Sequence, residues 1–332
     1  MSAEELETLL ERALQARQTF FDPPHESAFR LFNGFLEGCP ELAVDVYAAT
    51  AVLHDYADRA AEGEVNAGAA RRFLLERLPW IRAIVLKVRR GPTDAARCGR
   101  LIHGAQADRK VCEAGIWYAV DLGMNRDASL YLDTRNLRLW ARQQLAGATV
   151  LNTFAYTGSL GVAALAGGAA RVLQTDQNRR FLNLARSSYS LNGFPIHKQD
   201  FLAADFWPAT SRLRREGARF DCVFLDPPFF STTSRGSLDL AQDSARLINK
   251  VRPLVADGGW LVAVNNALYV SGRDYLAVLE GLCADGYLEI ETLVPVGEDF
   301  TLTPETVRAT PVSDPAPFNH ATKIAVLRVR RK

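Results

Sequence analysis

Two short polar motifs, each placed after a predicted strand, hold the residues best suited to chemistry. Tyr-Thr-Gly at residues 156–158 follows the apolar run 148–154, and an Ala-rich segment, 160–166, comes next. Asp-Pro-Pro-Phe at residues 226–229 follows a second run, 221–225. Runs of this length, rich in β-branched and large residues, are typical of buried strands. We therefore expect both motifs at the carboxyl ends of strands, where open α/β sheets bind their ligands.

The first motif predicts a cofactor with a nucleoside part. A strand, a glycine turn and a helix in succession present backbone N–H groups to a ligand. Gly158 has no Cβ, so a ligand can approach its backbone closely. Asp176 stands eighteen residues after Gly158, at the end of another apolar run, 171–175. A carboxylate about 20 residues beyond such a turn is placed to accept hydrogen bonds from ribose hydroxyls.

The second motif bears on which cofactor and substrate are bound. The dinucleotide fingerprint Gly-x-Gly-x-x-Gly is absent, because only Gly158 and Gly161 stand at the turn, and this disfavours NAD. The two prolines of Asp-Pro-Pro-Phe remove two N–H donors and leave carbonyl oxygens as acceptors. Asp226 adds a carboxylate, and Phe229 offers a ring face to a base. The motif resembles the substrate-binding motif of methyltransferases that use S-adenosylmethionine (SAM).

From about residue 29 onward, the chain resembles the bacterial large-subunit ribosomal RNA methyltransferases, a family with cytosine-C5 and guanine-N7 enzymes. The likeness is strongest over residues 118–266. It is carried by Asp176 and by segments 119–122, 130–135, 151–158, 191–193, 200–201 and 224–229. The resemblance implies an α/β fold, with a Rossmann-like class I methyltransferase sheet and helices on both faces. The family also carries an N-terminal RNA-binding PUA module, for which the roughly 25 residues before Ala28 are expected to be too few.

The resemblance also implies which residues form the site. Those expected to bind SAM are Asp133, Arg135, Phe154, Tyr156, Thr157, Gly158, Asp176, Gln177, Asp200, Phe201 and Asp226. Those expected to hold the base are Asp226, Pro227, Pro228, Phe229 and Asn265.

Two of these assignments have structural alternatives. Asp133 can cap the helix expected at 134–145, with Arg135 in a salt bridge instead of on the methionine carboxylate. Asp200 is expected at the end of a short strand, 196–199, facing the adenine amino group, but can instead cap the following helix.

The cysteines bear on the reaction. Methylation of cytosine C5 needs a cysteine that adds to C6. The cytosine-C5 members of the family keep that cysteine after the strand where this chain has Asn265-Asn266. Cys222 is expected to be buried and inert, and Cys283 to lie within a helix. A nitrogen target needs only a lone pair aimed at the sulfonium methyl, so nitrogen methylation is favoured. The Asn265-Asn266 pair resembles the guanine-N7 branch of the family, and this resemblance makes guanine N7 the preferred atom.

The rest of the composition predicts a cytoplasmic protein without a membrane span or a metal site. The N-terminus is Glu-rich and lacks the apolar core of a secretory signal, and there is no apolar run near 18 residues. The five cysteines are scattered without a Cys-x-x-Cys pair, and the histidines have no ligand spacing.

Charge is distributed unevenly along a chain of net charge +1. Residues 1–70 hold four Arg and thirteen Asp or Glu, whereas residues 71–110 hold eleven Lys or Arg and three acids. A basic block of this kind suits an RNA phosphate backbone. The alternative is a solvated face whose charges pair with the acidic N-terminus.

The 332 residues are enough for two domains. We expect a helical N-terminal extension over 1–25, a small α+β domain over 26–117 and a methyltransferase domain over 118–332. In the small domain, strands are expected at 42–47, 51–56 and 80–88, and a helix at 67–78. Loop 230–237 is expected to close over the substrate, and the long excursion 297–318 to be functional or mobile.

The sequence therefore predicts a SAM-dependent methyltransferase that acts on a base nitrogen of ribosomal RNA. Two alternatives stay open at this point. The acceptor can be a small molecule or a protein amide, or the chain can be a non-catalytic RNA-binding protein on a methyltransferase fold.

Overall fold

The computed structural model describes residues 1–233, 236–301 and 304–331. The chain divides into two compact units, residues 1–132 with 298–310, and residues 133–297 with 311–332. The boundary lies after Leu132 and not at residue 117, because the intervening segment is bonded into the first unit. The Tyr47 hydroxyl donates to the Leu130 carbonyl (2.8 Å), and the Lys87 ammonium donates to the Asn125 carbonyl (2.9 Å).

The first unit is an α+β unit built on one five-stranded sheet. Its strands, in spatial order, are β1 (Ala28–Phe32), β2 (Leu42–Tyr47), β3 (Thr50–Asp55), β4 (Ala83–Val88) and β5 (Arg100–His103), followed by a separate hairpin, β6 (Lys110–Glu113) and β7 (Ile116–Ala119). Its helices are α1 (Ala3–Ala16), α2 (Gly34–Glu37), α3 (Ala60–Arg77) and α4 (Asp94–Cys98), with short helical turns at Gln18–Phe20 and Glu298–Thr301.

Two helices of this unit differ from the sequence expectation. Helix α1 is part of the unit and not an extension, because Leu6 and Leu10 are buried in the same core as Phe73 of α3. Helix α3 begins seven residues earlier than expected, at Ala60. Its first turns pack through small residues that give no apolar periodicity; a Cβ at Gly63 would come within 2.2 Å of an Asp55 carboxylate oxygen.

The second unit contains a seven-stranded sheet of the expected Rossmann-like α/β type, which is confirmed. Its strands in spatial order are β10 (Phe201–Ala203), β9 (Arg171–Asp176), β8 (Thr149–Thr153), β11 (Phe220–Leu225), β14 (Val255–Asn265), β16 (Lys323–Val329) and β15 (Leu288–Leu293), with β12 (Phe230–Thr233) and β13 (Gly236–Asp239) forming a hairpin. Its helices are α5 (Arg135–Gln144), α6 (Ser159–Ala166), α7 (Arg179–Leu191), α8 (Phe206–Arg215), α9 (Leu240–Val251) and α10 (Gly272–Cys283), with short 3₁₀ turns at Lys198–Asp200 and Arg252–Leu254.

Strand direction fixes where a ligand can bind. Strands β8, β9, β10, β11 and β14 are parallel, so their carboxyl ends share one edge of the sheet, which we call the carboxyl edge. Strand β16 is antiparallel to both β14 and β15. Residues that precede β15 therefore lie at the opposite, amino edge, together with the beginnings of the parallel strands.

The short strand expected at 196–199 is wrong by several residues. Ile196 is exposed, whereas β10 starts at Phe201, whose ring is buried beside Tyr189. Pairing with β9 sets this register, since Phe201 lies opposite Gln174 and Ala203 opposite Asp176.

The two segments expected to be loops contain some regular structure. Residues 230–233 and 236–239 form an antiparallel hairpin, while Ser234 and Arg235 lie outside the described residues; closure of this segment over the substrate stays a prediction. Part of the excursion 297–318 belongs to the first unit, where the Asp299 carboxylate accepts the Arg30 N–H at 2.8 Å.

In the part of the chain that the structure describes, no helix combines the length and apolar character needed to cross a membrane.

Candidate active site

The turn after β8 is held in an unusual backbone conformation. Phe154, Tyr156 and Gly158 have φ values of 51°, 50° and 77°, in the left-handed region that only glycine adopts at low cost. The Tyr156 N–H donates to the Asp176 carboxylate (2.9 Å), and the Gly158 N–H donates to the Ala155 carbonyl (2.7 Å). The expected pair of turn and acidic residue is thus in direct contact.

Gly158 is needed for packing as well as for conformation. A Cβ at this position would stand 2.6 Å from the Cβ of Ala185 on α7. Helix α6 begins at the next residue, and no side chain caps its N-terminus. The first N–H groups of a helix have no partner within the helix. The start of α6 therefore offers backbone donors at the carboxyl edge.

The Asp176 carboxylate ends β9 and is half-buried. Burial raises its pKa, and hydrogen bonds from the backbone N–H groups of Asn178 (2.7 Å) and Tyr156 act in the opposite direction. A carboxylate has about four acceptor positions, so two remain for hydroxyl donors of a ligand. Gln177 follows it and is exposed.

Asp200 does not lie at the carboxyl edge. It precedes β10, and its carboxylate accepts from the Arg171 guanidinium (2.7 Å) at the start of β9. Its expected position at the end of a strand is therefore wrong. Phe201 is likewise the first residue of β10, and its ring packs against Tyr189 and the Arg186 guanidinium.

Asp205 occupies the position that the sequence assigned to Asp200. It follows β10, whose successor Ala204 donates its N–H to the Asp176 carbonyl (3.0 Å). The Asp205 carboxylate caps α8 through the Trp207 N–H (2.9 Å). The next ring, Phe206, stacks on Phe154 with a centroid distance of 4.6 Å. The sequence signal that could have found it is an Asp directly before a helix, here α8, a position that capping residues also favour.

Asp226 carries the largest electrostatic perturbation at this edge. Burial, and secondly the carboxylate of Asp133, raise its pKa to about 7. Asp133 itself accepts a hydrogen bond from the Thr322 hydroxyl (2.7 Å), and Arg135 begins the adjoining helix α5. Within the described residues, no hydrogen bond reaches the Asp226 carboxylate. Its oxygens are therefore available to a donor on a ligand.

Asn265 and Asn266 differ in what their side chains bind. The buried Asn265 amide donates to the Ser244 hydroxyl (2.9 Å) and accepts the Ala267 N–H (2.9 Å), so it anchors the strand end internally. The Asn266 amide nitrogen lies 3.5 Å from the Pro227 carbonyl. Its Oδ1 is buried and has no partner in the described part of the chain. A buried acceptor without a donor is costly, so Asn266 is the better candidate for contact with a ligand.

The other three residues of the Asp-Pro-Pro-Phe motif follow Asp226 at the carboxyl edge. Pro227 is buried, and Pro228 and Phe229 are exposed, the latter by 42%. The Phe229 carbonyl accepts the Leu240 N–H (3.0 Å), which fixes the backbone of the motif to the start of α9. The ring is thereby presented to solvent beside Asp226.

The match to known proteins agrees with this geometry. Residues 79–290 match the family model described as S-adenosylmethionine-dependent methyltransferase. The chain belongs to this family. Its cofactor is accordingly SAM, and the protein is a SAM-dependent methyltransferase.

The sequence identities to individual relatives are low. The methyltransferase is 28% identical over 298 residues to a provisionally named ribosomal RNA large subunit methyltransferase of Bacillus subtilis, covering 88% of this chain and 73% of that protein. It is 31% identical to ribosomal RNA large subunit methyltransferase K/L of Syntrophotalea carbinolica, covering 84% of this chain but 39% of that protein. A provisionally named methyltransferase solved with S-adenosylhomocysteine has the same fold, with a TM-score of 0.86, 20% identity and coverage of 99% and 82%.

The cysteines of the methyltransferase's second unit are not at the carboxyl edge. Cys222 is buried early in β11, and burial raises the pKa of its thiol well above the ordinary value. Cys283 ends α10, and burial raises its pKa as well. Neither thiol is activated. Among residues 1–233, 236–301 and 304–331, no three His, Cys, Asp or Glu side chains are placed to hold a metal ion.

Proposed function

We propose that this methyltransferase transfers the methyl group of SAM to a base nitrogen of ribosomal RNA, with guanine N7 as the favoured atom. The proposal rests on the side chains that lie at the carboxyl edge. Among the described residues, this edge has the Asp226 carboxylate, which accepts no hydrogen bond, the Asn266 amide oxygen, which has no partner, and the exposed ring of Phe229. Neither cysteine of the second unit lies there. The names of the relatives support RNA as the substrate.

In this proposal, the residues around the turn hold the cofactor. Asp176 accepts the two ribose hydroxyls, Asp205 faces the adenine amino group, and the uncapped start of α6 binds polar groups of the ligand. SAM supplies a methyl group on a positively charged sulfur. The protein's own task is to hold the base and to keep it in line with that methyl group.

Guanine matches the acceptors at this edge. Its N1–H and amino groups are adjacent donors, which a carboxylate such as Asp226 accepts together. Its N7 lies on the opposite side of the ring system and carries a free lone pair. If the protein binds the N1–H and amino edge of guanine, N7 on the opposite side is turned toward the methyl group. Because N7 carries a free lone pair, no proton has to be removed from it. Phe229 stacks on the base plane in this arrangement.

The proposal is tested with RNA in which 5-fluorocytosine replaces cytosine. An enzyme that methylates C5 forms a trapped covalent adduct through a cysteine. We expect tritiated methyl transfer from SAM to large-subunit ribosomal RNA without a covalent protein–RNA adduct. An adduct that one Cys→Ala change abolishes would contradict nitrogen methylation. Small-subunit ribosomal RNA is the matched control substrate.

The proposed RNA contact through the basic block concerns few of its residues. Most of its arginines are in ion pairs with acids of the first unit: Arg72 with Glu7, Arg77 with Glu11, Arg82 with Asp108, Arg89 with Asp127, Arg90 with Asp58 and Arg97 with Asp94. Lys87 is buried. Arg71, Arg100 and Arg109 are exposed, and no ion pair within the described residues involves them.

We expect Ala at Arg71, Arg100 and Arg109 to weaken RNA binding and to flatten its salt dependence. Each lost phosphate contact lowers the log–log slope by about 0.7–0.9. The matched control replaces Arg72, Arg77 and Arg90, which are paired, and should change the slope little. Filter binding over a salt series measures both. Equal slopes for the two triple variants would mean that the exposed arginines are only a solvated face.

A further inference from the structure

An exposed apolar patch flanks the proposed acceptor site. It consists of Phe229 and Phe230 after β11 and of Leu268 and Tyr269 after β14. Tyr269 is 75% exposed and Phe230 63%. Strands β11 and β14 are paired in parallel, so both segments emerge at the carboxyl edge. Large apolar side chains grouped at a surface mark binding sites more often than scattered ones do.

The two halves of the patch are joined through the site itself. The Asn266 amide nitrogen, three residues before Tyr269, faces the Pro227 carbonyl, two residues before Phe229. The patch therefore adjoins the segments that carry Asp226 and Asn266. Whatever binds the patch lies next to the base that is methylated.

Tyr269 is displayed by a turn that is fixed from two sides. The Ser313 hydroxyl donates to the Leu268 carbonyl (2.7 Å), and the buried Lys323 ammonium donates to the Ala267 carbonyl (3.0 Å). The Val270 N–H closes the turn onto Ala267 (3.2 Å). Because these bonds fix the backbone on both sides of Tyr269, the fold holds this side chain in its exposed position.

We propose that Tyr269 and Phe230 stack on the nucleotides next to the target base, so that the enzyme takes its RNA as a single strand. This inference rests on the proposed function and names how its substrate is presented. Aromatic rings bind unpaired bases through their faces, with little preference for sequence. In a duplex those faces are covered by neighbouring pairs. Two protruding rings beside the acceptor site fit splayed single-stranded bases.

Charge plays a minor part in this contact. Arg273, at the start of α10, is exposed four residues after Tyr269, but Asp274 is its neighbour. Stacking releases no counterions, so it does not change the salt slope. Loss of Tyr269 should therefore weaken binding equally at low and high salt, unlike loss of the exposed arginines of the first unit.

The test uses a single-stranded decaribonucleotide with a central guanosine and a 2-aminopurine beside it, and the same strand in a duplex. We expect Tyr269→Ala to weaken binding of the single strand about 10-fold, with loss of 2-aminopurine quenching and an unchanged SAM affinity. Tyr269→Phe should bind the single strand with the affinity of the wild-type enzyme, because it keeps the ring. Tyr287→Ala is the matched control, since Tyr287 is an exposed tyrosine that precedes β15 at the amino edge.

Several results would overturn the inference. These are wild-type affinity in Tyr269→Ala, equal binding of duplex and single strand, or a Tyr269-dependent self-association with unchanged RNA affinity. If the wild-type enzyme methylates ribosomal RNA but Tyr269→Ala behaves like it, only this inference fails. If the wild-type enzyme transfers no methyl group to RNA, the proposed function fails first.

Discussion

Replacing Asp226 with Asn is expected to lower turnover of RNA by about 10²–10⁴-fold and to leave SAM affinity nearly unchanged. The amide loses the negative charge and turns an N–H₂ group toward the donors of the base. Two charge-assisted hydrogen bonds, about 1.5–3 kcal/mol each, are lost from the complex. Steady-state kinetics and calorimetry with SAM measure the two effects. A variant with lost SAM binding would place Asp226 in the cofactor site instead of the base site.

The pH dependence follows from the same residue. Since the pKa of Asp226 is about 7, its carboxylate forms as pH rises through neutrality. We expect kcat/KM of the wild-type enzyme to rise with pH up to about that value, and this limb to be absent in Asp226→Asn. Asp285→Asn, at an exposed carboxylate on the amino edge, is the control and should keep the limb. A variant that retained the limb would assign it to another group.

The free energy of unfolding is expected to change with pH in the opposite direction to kcat/KM. The folded pKa of Asp226 lies above the unfolded value of about 3.9. Between these values, the folded state keeps a proton on Asp226 that the unfolded chain has already released, so the free energy of unfolding falls as pH rises through that window. The Asp226→Asn change should accordingly raise Tm at pH 8 and have little effect at pH 3, so that its loss of turnover is not a loss of folding.

Asp176→Ala is expected to weaken SAM binding by about 10²-fold. Two hydrogen bonds from the ribose hydroxyls to a charged acceptor are removed, at the lower end of about 1.5–3 kcal/mol each. The turn after β8 also loses its bond from the Tyr156 N–H, which adds to the loss.

Two other aspartates provide the comparison for Asp176. Asp205→Ala should also weaken SAM binding, because Asp205 follows β10 at the carboxyl edge. Asp200→Ala should not, because its carboxylate is bonded to Arg171 at the other edge. Calorimetry on the three variants gives the ranking. If Asp200→Ala weakened SAM binding and Asp205→Ala did not, the assignment of the adenine contact would be wrong.

The sequence predicted those parts of the fold that depend on local pattern. Strands β8, β9 and β11 were placed to within a residue or two, because each is an apolar run ending in a distinct motif. The order of turn, Asp176 and Asp-Pro-Pro-Phe then fixed the edge of the sheet that they share. Strand β10 has three residues, too few for a periodicity to show, and its register is set by pairing with β9.

Features that depend on distant partners could not be predicted. Asn265 and Asn266 are adjacent in sequence, and only the pairing of β14 with β16 and the packing of Ser244 decide which amide is used internally. The charge of the basic block is likewise met by acids such as Glu7, 65 residues from Arg72. Composition showed the two sets of charges, but the packing of α1 on α3 brings Glu7 to Arg72 and Glu11 to Arg77.

The most direct test of the account is the identity of the methylated nucleoside. Large-subunit ribosomal RNA from a strain that lacks this enzyme is incubated with the purified protein and SAM, digested to nucleosides and analysed by mass spectrometry. We expect one new methylated purine, 7-methylguanosine, and none with Asp226→Asn. New 5-methylcytidine, or a methylated product found only in protein or small molecules, would contradict it.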